Sequence, residues 1–232
     1  MSKFLGLSKF IIRFVKMNTL AEENYLKSIY HLALFNGVVS TNQLAALLKT
    51  KASSVTDMLK KLADKALINY TPYQGVSLSD TGERIAVNII RKHRLWEYFL
   101  VEKLHFKWDQ VHDMAEEMEH ISSNELINRL DKFMGFPKYD PHGDPIPDAD
   151  GLVKQHNLKP VSSFGVNEGG IICGVREHSA PFLQYLEKQS LIIGKKIRVT
   201  EIIEFDRSMV LQIENKKIQI SREVANNLLI AV

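Results

Sequence analysis

Between Val111 and His120 the chain reads VHDMAEEMEH. Wound as a helix, this run puts His112, Glu116, Glu119 and His120 within about a 100° arc of one face. Neutral imidazoles and ionised carboxylates are ligands for first-row divalent ions, so the face has the chemistry to hold a metal. An acidic, solvated helix is the plain alternative, and the run alone does not separate the two. One helix earlier, His93 and Glu97 stand four residues apart and form the same kind of pair. Taken alone, that pair reads as a surface contact.

The rest of the chain must position these groups. Its 232 residues, 45% hydrophobic and 25% charged, describe a soluble globular protein of one to three domains. A single cysteine, Cys173, excludes an internal disulfide framework and suits a reducing, cytoplasmic setting. No run approaches the roughly 18 apolar residues of a membrane-spanning helix, so no membrane partner is expected. The net charge of +3 is uneven: residues 1–80 carry 10 Lys/Arg against 5 Asp/Glu. The first third is therefore the place for a polyanion contact.

Residues 1–18 form a basic N-terminal extension without the apolar core and cleavage site of a secretory signal, and no function is assigned to them. Thr19 can cap a helix whose first turn holds Glu22 and Glu23, with Leu26, Ile29, Tyr30 and Ala33 on its inner stripe and Gly37 at its end. A second helix after Thr41 turns Leu44, Leu47 and Leu48 inward. A third buries Val55, Met58, Leu59, Leu62 and Ala66. It displays Ser53, Ser54, Thr56, Asp57, Lys60 and Lys61, with Lys51 just before it. Ile68–Tyr70 and Val76–Leu78 then flank a Pro72-Tyr73-Gln74-Gly75 turn and read as a hairpin. Three helices and a hairpin over 19–80 are the pattern of a winged helix-turn-helix domain. A small helical protein-docking domain is the alternative. The short polar residues suit base edges, and the lysines suit phosphates. Tyr73 and Gln74 at the wing tip join the DNA-contact set.

A long helix runs from Asp80 to Lys103, the acidic helix starts near Asp109, and Ser122 with Glu125 proposes a capping box for one more. Residues 81–138 are thus a helical domain. Residues 139–160 fall in a stretch that holds five of the seven prolines and read as a linker. From 161 to 232 the pattern turns to short strands around 170–175, 196–203, 209–214 and 217–220, with one helix from Ser179 to about Lys188. This β-rich tail reads as a small barrel.

The segments EENYLKSIY, SSVTDMLKKL, LSDTGERIA, RKHRLWEYFL, VHDMAEEMEH and PHGDPIP, in this order across residues 20–150, resemble the diphtheria-toxin-repressor family of metal-dependent transcriptional regulators. The resemblance implies a mainly α chain: a winged helix, a helical metal-binding and dimerisation domain, and an SH3-like, FeoA-like third domain. It implies a homodimer that grips a double-stranded, palindromic operator when metal fixes its domains, and needs no organic cofactor. The family's ancillary metal site falls on His93, Glu97 and His112. Its activating site falls on Glu116, Glu119 and His120, with Asn24 at the first-helix ligand position. Third-domain ligands would fall near Glu177 and His178.

Asn24 stands where the family usually has Asp or Met, and Lys27 where manganese regulators have a second acidic residue. Glu116, where iron repressors have Cys, points to Mn(II), with Fe(II) as the alternative and Zn(II) as a substitute in vitro. The rival class is a carboxylate-bridged di-metal enzyme, since Glu102-x-x-His105 and Glu117-x-x-His120 spell its helical motif. It would need four long helices, and the chain offers about three. A metal-blind DNA-binding dimer is the third reading.

Overall fold

The computed structural model describes residues 18–154 and 157–231, so the N-terminal extension over residues 1–17 lies outside the described residues. Helix α1 (Leu20–Asn36) starts in a full capping box: the Thr19 hydroxyl accepts from Glu22 N, and the Glu22 carboxylate accepts from Thr19 N at 2.8 Å. Helix α2 (Thr41–Leu47) is capped the same way by Ser40 and Gln43. Helix α3 (Ala52–Asp64) buries Val55, Leu59 and Leu62 against Leu26, Ile29 and Leu44. Two expected inner residues differ. Leu47 is half-exposed, and Ala66 lies beyond the helix in the left-handed region, at φ 56°.

Strands β1 (Ile68–Thr71) and β2 (Gly75–Leu78) form the wing, in antiparallel register from Ile68↔Leu78 to Thr71↔Gly75. Val39 bridges to Val76 and sews the wing to the α1–α2 connection. Gly75 has φ +106°, and a Cβ there would meet the Val39 carbonyl at 2.8 Å, so only glycine fits.

Helix α4 (Asp80–Glu102) is the axis of the molecule. Its first half packs on α1, and its second half packs on α5 (His112–Met118) and α6 (Asn124–Phe133). Leu95, Trp96, Ala115, Ile127, Leu130 and Met134 form that central core. A buried Arg91–Asp131 ion pair at 2.8 Å ties α4 to α6. Helix α5 is only seven residues long and has no side-chain N-cap. Glu119 and His120 therefore sit just past its last turn instead of on its face. Ser123, not Ser122, caps α6 by accepting from Leu126 N.

The proline-rich segment after α6 is folded onto α4. Arg94 donates to the Pro145 carbonyl at 2.6 Å and to Asp144 at 3.1 Å, while Asp140 accepts from the backbone N–H groups of His142 and Asp144. Asp140, His142 and Ile146 are buried as a result.

The tail is a six-stranded antiparallel sheet in the order β3-β8-β4-β5-β6-β7. Its strands are β3 (Lys159–Pro160), β4 (Gly169–Val175), β5 (Lys196–Ile202), β6 (Met209–Ile213), β7 (Lys216–Ile220) and β8 (Leu228–Ala231). Helices α7 (Ala180–Lys188) and α8 (Arg222–Asn227) accompany it. The sheet docks on the 140–144 loop. Val175 N donates to the His142 carbonyl at 3.0 Å, and a Cβ at Gly143 would collide with the Cys173 carbonyl.

Candidate metal centre and DNA-contact surface

Glu97 organises the centre. It is buried on α4, and its two carboxylate oxygens face three imidazoles. Oε1 lies 3.0 Å from His93 Nε2 and 3.4 Å from His112 Nδ1, and Oε2 lies 3.5 Å from His142 Nδ1. The ligand atoms of His93, Glu97 and His112 lie within 4.8 Å of one another, as do those of Glu97, Asp140 and His142. Bonds of about 2.2 Å put opposed ligands about 4.4 Å apart, so either trio closes on an ion with small shifts.

The tautomer of His142 is the sharpest indication. Its Nε2–H donates to the Trp108 carbonyl at 2.8 Å, and a carbonyl can only accept. In the neutral ring, Nδ1 then presents a lone pair to the Glu97 carboxylate, and this buried atom has no hydrogen-bond donor. Two acceptors facing each other in a dry site require a cation between them, either a proton or a metal. Without a metal the proton is held tightly. Burial alone would lower the His142 pKa, but Glu97 and Asp140 outweigh it and raise it to about 9. His93 is also raised to about 9, against its burial, because Glu119 and Glu97 flank its two nitrogens. Asp140 is pushed up to about 7 by burial, then by Asp144 and Glu97. The residues thus fit a divalent ion of oxygen and nitrogen preference.

Asp140 and His142 were not among the sequence-based candidates. Their only local signal is Asp-x-His inside a proline-rich stretch, where composition points to a linker. Among the third-domain candidates, His178 stacks on the His142 ring at 4.8 Å between centroids, with Nε2 3.9 Å from Asp144. Glu177 is exposed and turned away, accepting from Ser179 N at 2.8 Å.

The residues assigned to the activating site meet something else. Glu119 is fully buried, and its Oε2 lies 2.6 Å from His93 Nδ1. Lys27 Nζ lies 2.5 Å from Glu116 and 2.7 and 2.9 Å from the two oxygens of Glu119. His120 Nδ1 pairs with Glu23 at 2.6 Å, and the Asn24 Oδ1 is buried without a partner. Glu116 and Glu119 meet at the Lys27 ammonium, which stands between the carboxylates, and His120 Nε2 lies 3.8 Å from Glu119. The ligand atoms of His93, Glu116 and Glu119 lie within 4.8 Å of one another, and an ion there would compete with Lys27 for the carboxylate oxygens.

On the opposite end, Lys51, Ser53, Ser54, Asp57 and Lys60 are exposed along α3, with Tyr73 and Gln74 at the wing tip. A groove between α3 and the wing is lined by Thr56, Lys60, Tyr73 and Gln74 and also by Ser40 and Asn42 of the α2 N-terminus. The Thr56 hydroxyl donates to the Ala52 carbonyl, and Lys61 leans 3.2 Å from Glu22. The enzyme motifs are not assembled. Helix α4 ends at Glu102, His105 follows in the left-handed region at φ 58°, and Glu117 is exposed.

Comparison with known proteins agrees with this layout. Residues 17–76 match the iron-dependent repressor N-terminal DNA-binding domain, residues 79–148 its metal-binding and dimerisation domain, and residues 159–232 the FeoA domain. An uncharacterized HTH-type transcriptional regulator of Methanocaldococcus jannaschii is 40% identical over 48% of this chain and 90% of its own. The iron-dependent repressor IdeR of Mycobacterium tuberculosis is 31% identical over 60% of each chain. A solved manganese-dependent transcriptional repressor in complex with manganese superposes with a TM-score of 0.83 at 31% identity, over 90% of this chain and 99% of that one. No described helix is long and apolar enough to cross a membrane. Domains, order and similarity agree: this chain belongs to the diphtheria-toxin-repressor family of metal-dependent, DNA-binding transcriptional repressors and is not an enzyme.

Proposed function

We propose that this repressor senses Mn(II) in the cytoplasm, as a homodimer on a palindromic operator, and shuts off metal-uptake genes when the metal is abundant. The observation that carries the metal centre is the Glu97–His142 confrontation, which a divalent ion resolves. His93, Glu97, His112, Asp140 and His142 supply it, with His178 stacked on His142. Such a donor set contains no thiolate and accepts the higher coordination numbers Mn(II) tolerates, although it cannot reverse the affinity order of the divalent series. Fe(II) is the second reading, favoured by the IdeR similarity.

The linkage runs through α4. A metal on His93 and Glu97 leaves His93 Nδ1–H donating to Glu119, a carboxylate–histidine–metal arrangement that fixes the ring. Glu119 in turn holds α1 through Lys27. Metal thereby fixes the His93 ring against which the α1–α5 tie rests, and DNA binding strengthens metal binding by the same factor.

The test is operator binding after chelation, titrated with Mn(II), Fe(II) and Zn(II). A response to Mn(II) in the micromolar range of free metal is expected, and binding indifferent to all three ions would leave a metal-blind repressor. In the same assay Lys60→Ala should weaken all operators and lower the salt slope by about 1, the mark of one lost phosphate contact. Ser54→Ala should instead alter which operators are preferred. If both are silent, α3 does not read the DNA.

Leu126, Phe133 and Phe136 are exposed on and just after α6, more apolar surface than a lone protomer needs there. We assign the dimer contact to this face. Sedimentation should show a dimer at micromolar concentration with and without metal, and Phe133→Glu should yield monomers. A wild-type monomer in both conditions would remove the linkage.

A further inference from the structure

We infer that Lys27 is a built-in substitute for a metal ion: its ammonium occupies the carboxylate site between α1 and α5 and keeps divalent ions out of it. The inference rests on the proposed metal centre around Glu97 and assigns the second ligand cluster a different occupant.

The geometry is that of a coordinated cation. A lysine ammonium has three N–H donors, and Lys27 makes three short contacts, one to Glu116 and two to Glu119. Its side chain is 12% exposed and that of Glu119 is not exposed at all. The Lys27 ammonium is the cation that compensates Glu119 from the α1 side, and His93 compensates it from the α4 side. Both oxygens of Glu119 are thus engaged, as is one of Glu116. A divalent ion entering here would have to share these oxygens with an ammonium about 3 Å away, against like-charge repulsion.

The consequence is a division of labour. In a site of two carboxylates and one imidazole, a metal would tie α1 to α5 only when bound. Lys27 makes the tie permanent, and Glu23–His120 at 2.6 Å adds a second metal-independent link between the same segments. Metal control then rests on the Glu97 centre alone, relayed to α1 through His93, Glu119 and Lys27.

The experiment measures Mn(II) uptake by the full-length protein, by equilibrium dialysis with elemental analysis. Glu97→Gln removes the carboxylate common to both trios, and with Lys27 intact it should take up no Mn(II) even at about a hundred times the wild-type half-saturation. Adding Lys27→Glu to Glu97→Gln should restore one ion per protomer, because the new carboxylate then joins Glu116 and Glu119 beside His93 without an ammonium. Adding Lys27→Met is the milder version and should restore weaker uptake, and Lys27→Arg should restore none. Circular dichroism melts confirm that each variant is folded.

Uptake by Glu97→Gln alone that vanishes on adding Glu119→Gln would overturn the inference, because the metal would then enter despite Lys27. A folded Lys27→Met, Glu97→Gln protein that stays metal-free would overturn it as well, since the ammonium would not be what excludes the ion. Wild-type protein that binds no Mn(II) would instead sink the Glu97 centre. The Lys27→Glu comparison would still be readable in that case.

Discussion

Glu97→Ala should abolish the metal response of operator binding. The two trios that contain His112 or His142 both contain Glu97, so its removal breaks both of them. Outer partners of a metal site typically cost 10–100-fold in affinity, and a shared inner ligand should cost more, at least about a hundredfold. The metal-free protein reacts differently. The Glu97 carboxylate is held well below its usual range: burial opposes ionisation, but His112, His142 and His93 together outweigh it. Without this counter-charge, His142 keeps Asp140 and the Trp108 carbonyl to hold its proton, and His93 keeps Glu119. Their pKa values then fall, so the histidines give up their protons more readily, and the apo fold survives at a modest cost. The measurement is a pair of melts with and without Mn(II), beside an operator titration. Wild type should gain stability with free metal in proportion to RT ln(1 + [L]/Kd), and the variant should gain none. A variant that keeps a wild-type Mn(II) shift would move the centre away from Glu97.

How much of this was legible beforehand depends on how far apart the partners lie in the chain. The His93/Glu97 pair and the His112–His120 run were visible because helical spacing is local, and the ligand atoms of His93, Glu97 and His112 lie within 4.8 Å of one another. The winged helix was visible for the same reason, down to the Thr19 cap and the glycine turn, although the Ser40 cap of α2 was not. Asp140 and His142 were not visible, because composition describes a proline-rich stretch as a linker. What orders it is Arg94, 46 or more residues upstream of the groups it grips. Lys27 was noticed only as a departure from the family pattern. Its partners lie 89 and 92 residues away, and nothing in helical periodicity announces such a contact. In the tail, β8 escaped because Leu228–Ala231 is a short apolar run at the very end of the chain. Its identity as a strand comes from pairing with β3 and β4. The seven-residue length of α5 was also hidden, since His112 to His120 satisfies a helical face whether or not the last two residues are helical.

Glu22→Gln should destabilise the winged-helix domain by about 3 kcal/mol, the lower end of what breaking a buried ion pair costs. Glu22 is fully buried where α1 meets α3. One of its oxygens accepts from Lys65 Nζ at 2.7 Å and from Thr19 N at 2.8 Å, and the other lies 3.2 Å from Lys61 Nζ. Glutamine keeps the volume and can still accept from Thr19 N, so the capping box survives and the charge alone is tested. Lys61 is half-exposed and can turn to water, which places the cost at the lower end. The pH dependence has a defined sign. Burial would raise the Glu22 pKa, but Lys65, Thr19 N and Lys61 lower it from 4.5 to about 2. A carboxylate depressed on folding contributes stability that is complete above its unfolded pKa and is lost as pH falls through its folded value. The gap between wild type and Glu22→Gln should therefore be constant above about pH 5 and should close between 4.5 and about 2. Chemical denaturation across that range would show it. A gap that stays constant down to pH 2 would mean that the glutamine disturbs packing and that the ion pair does not hold α3 against α1.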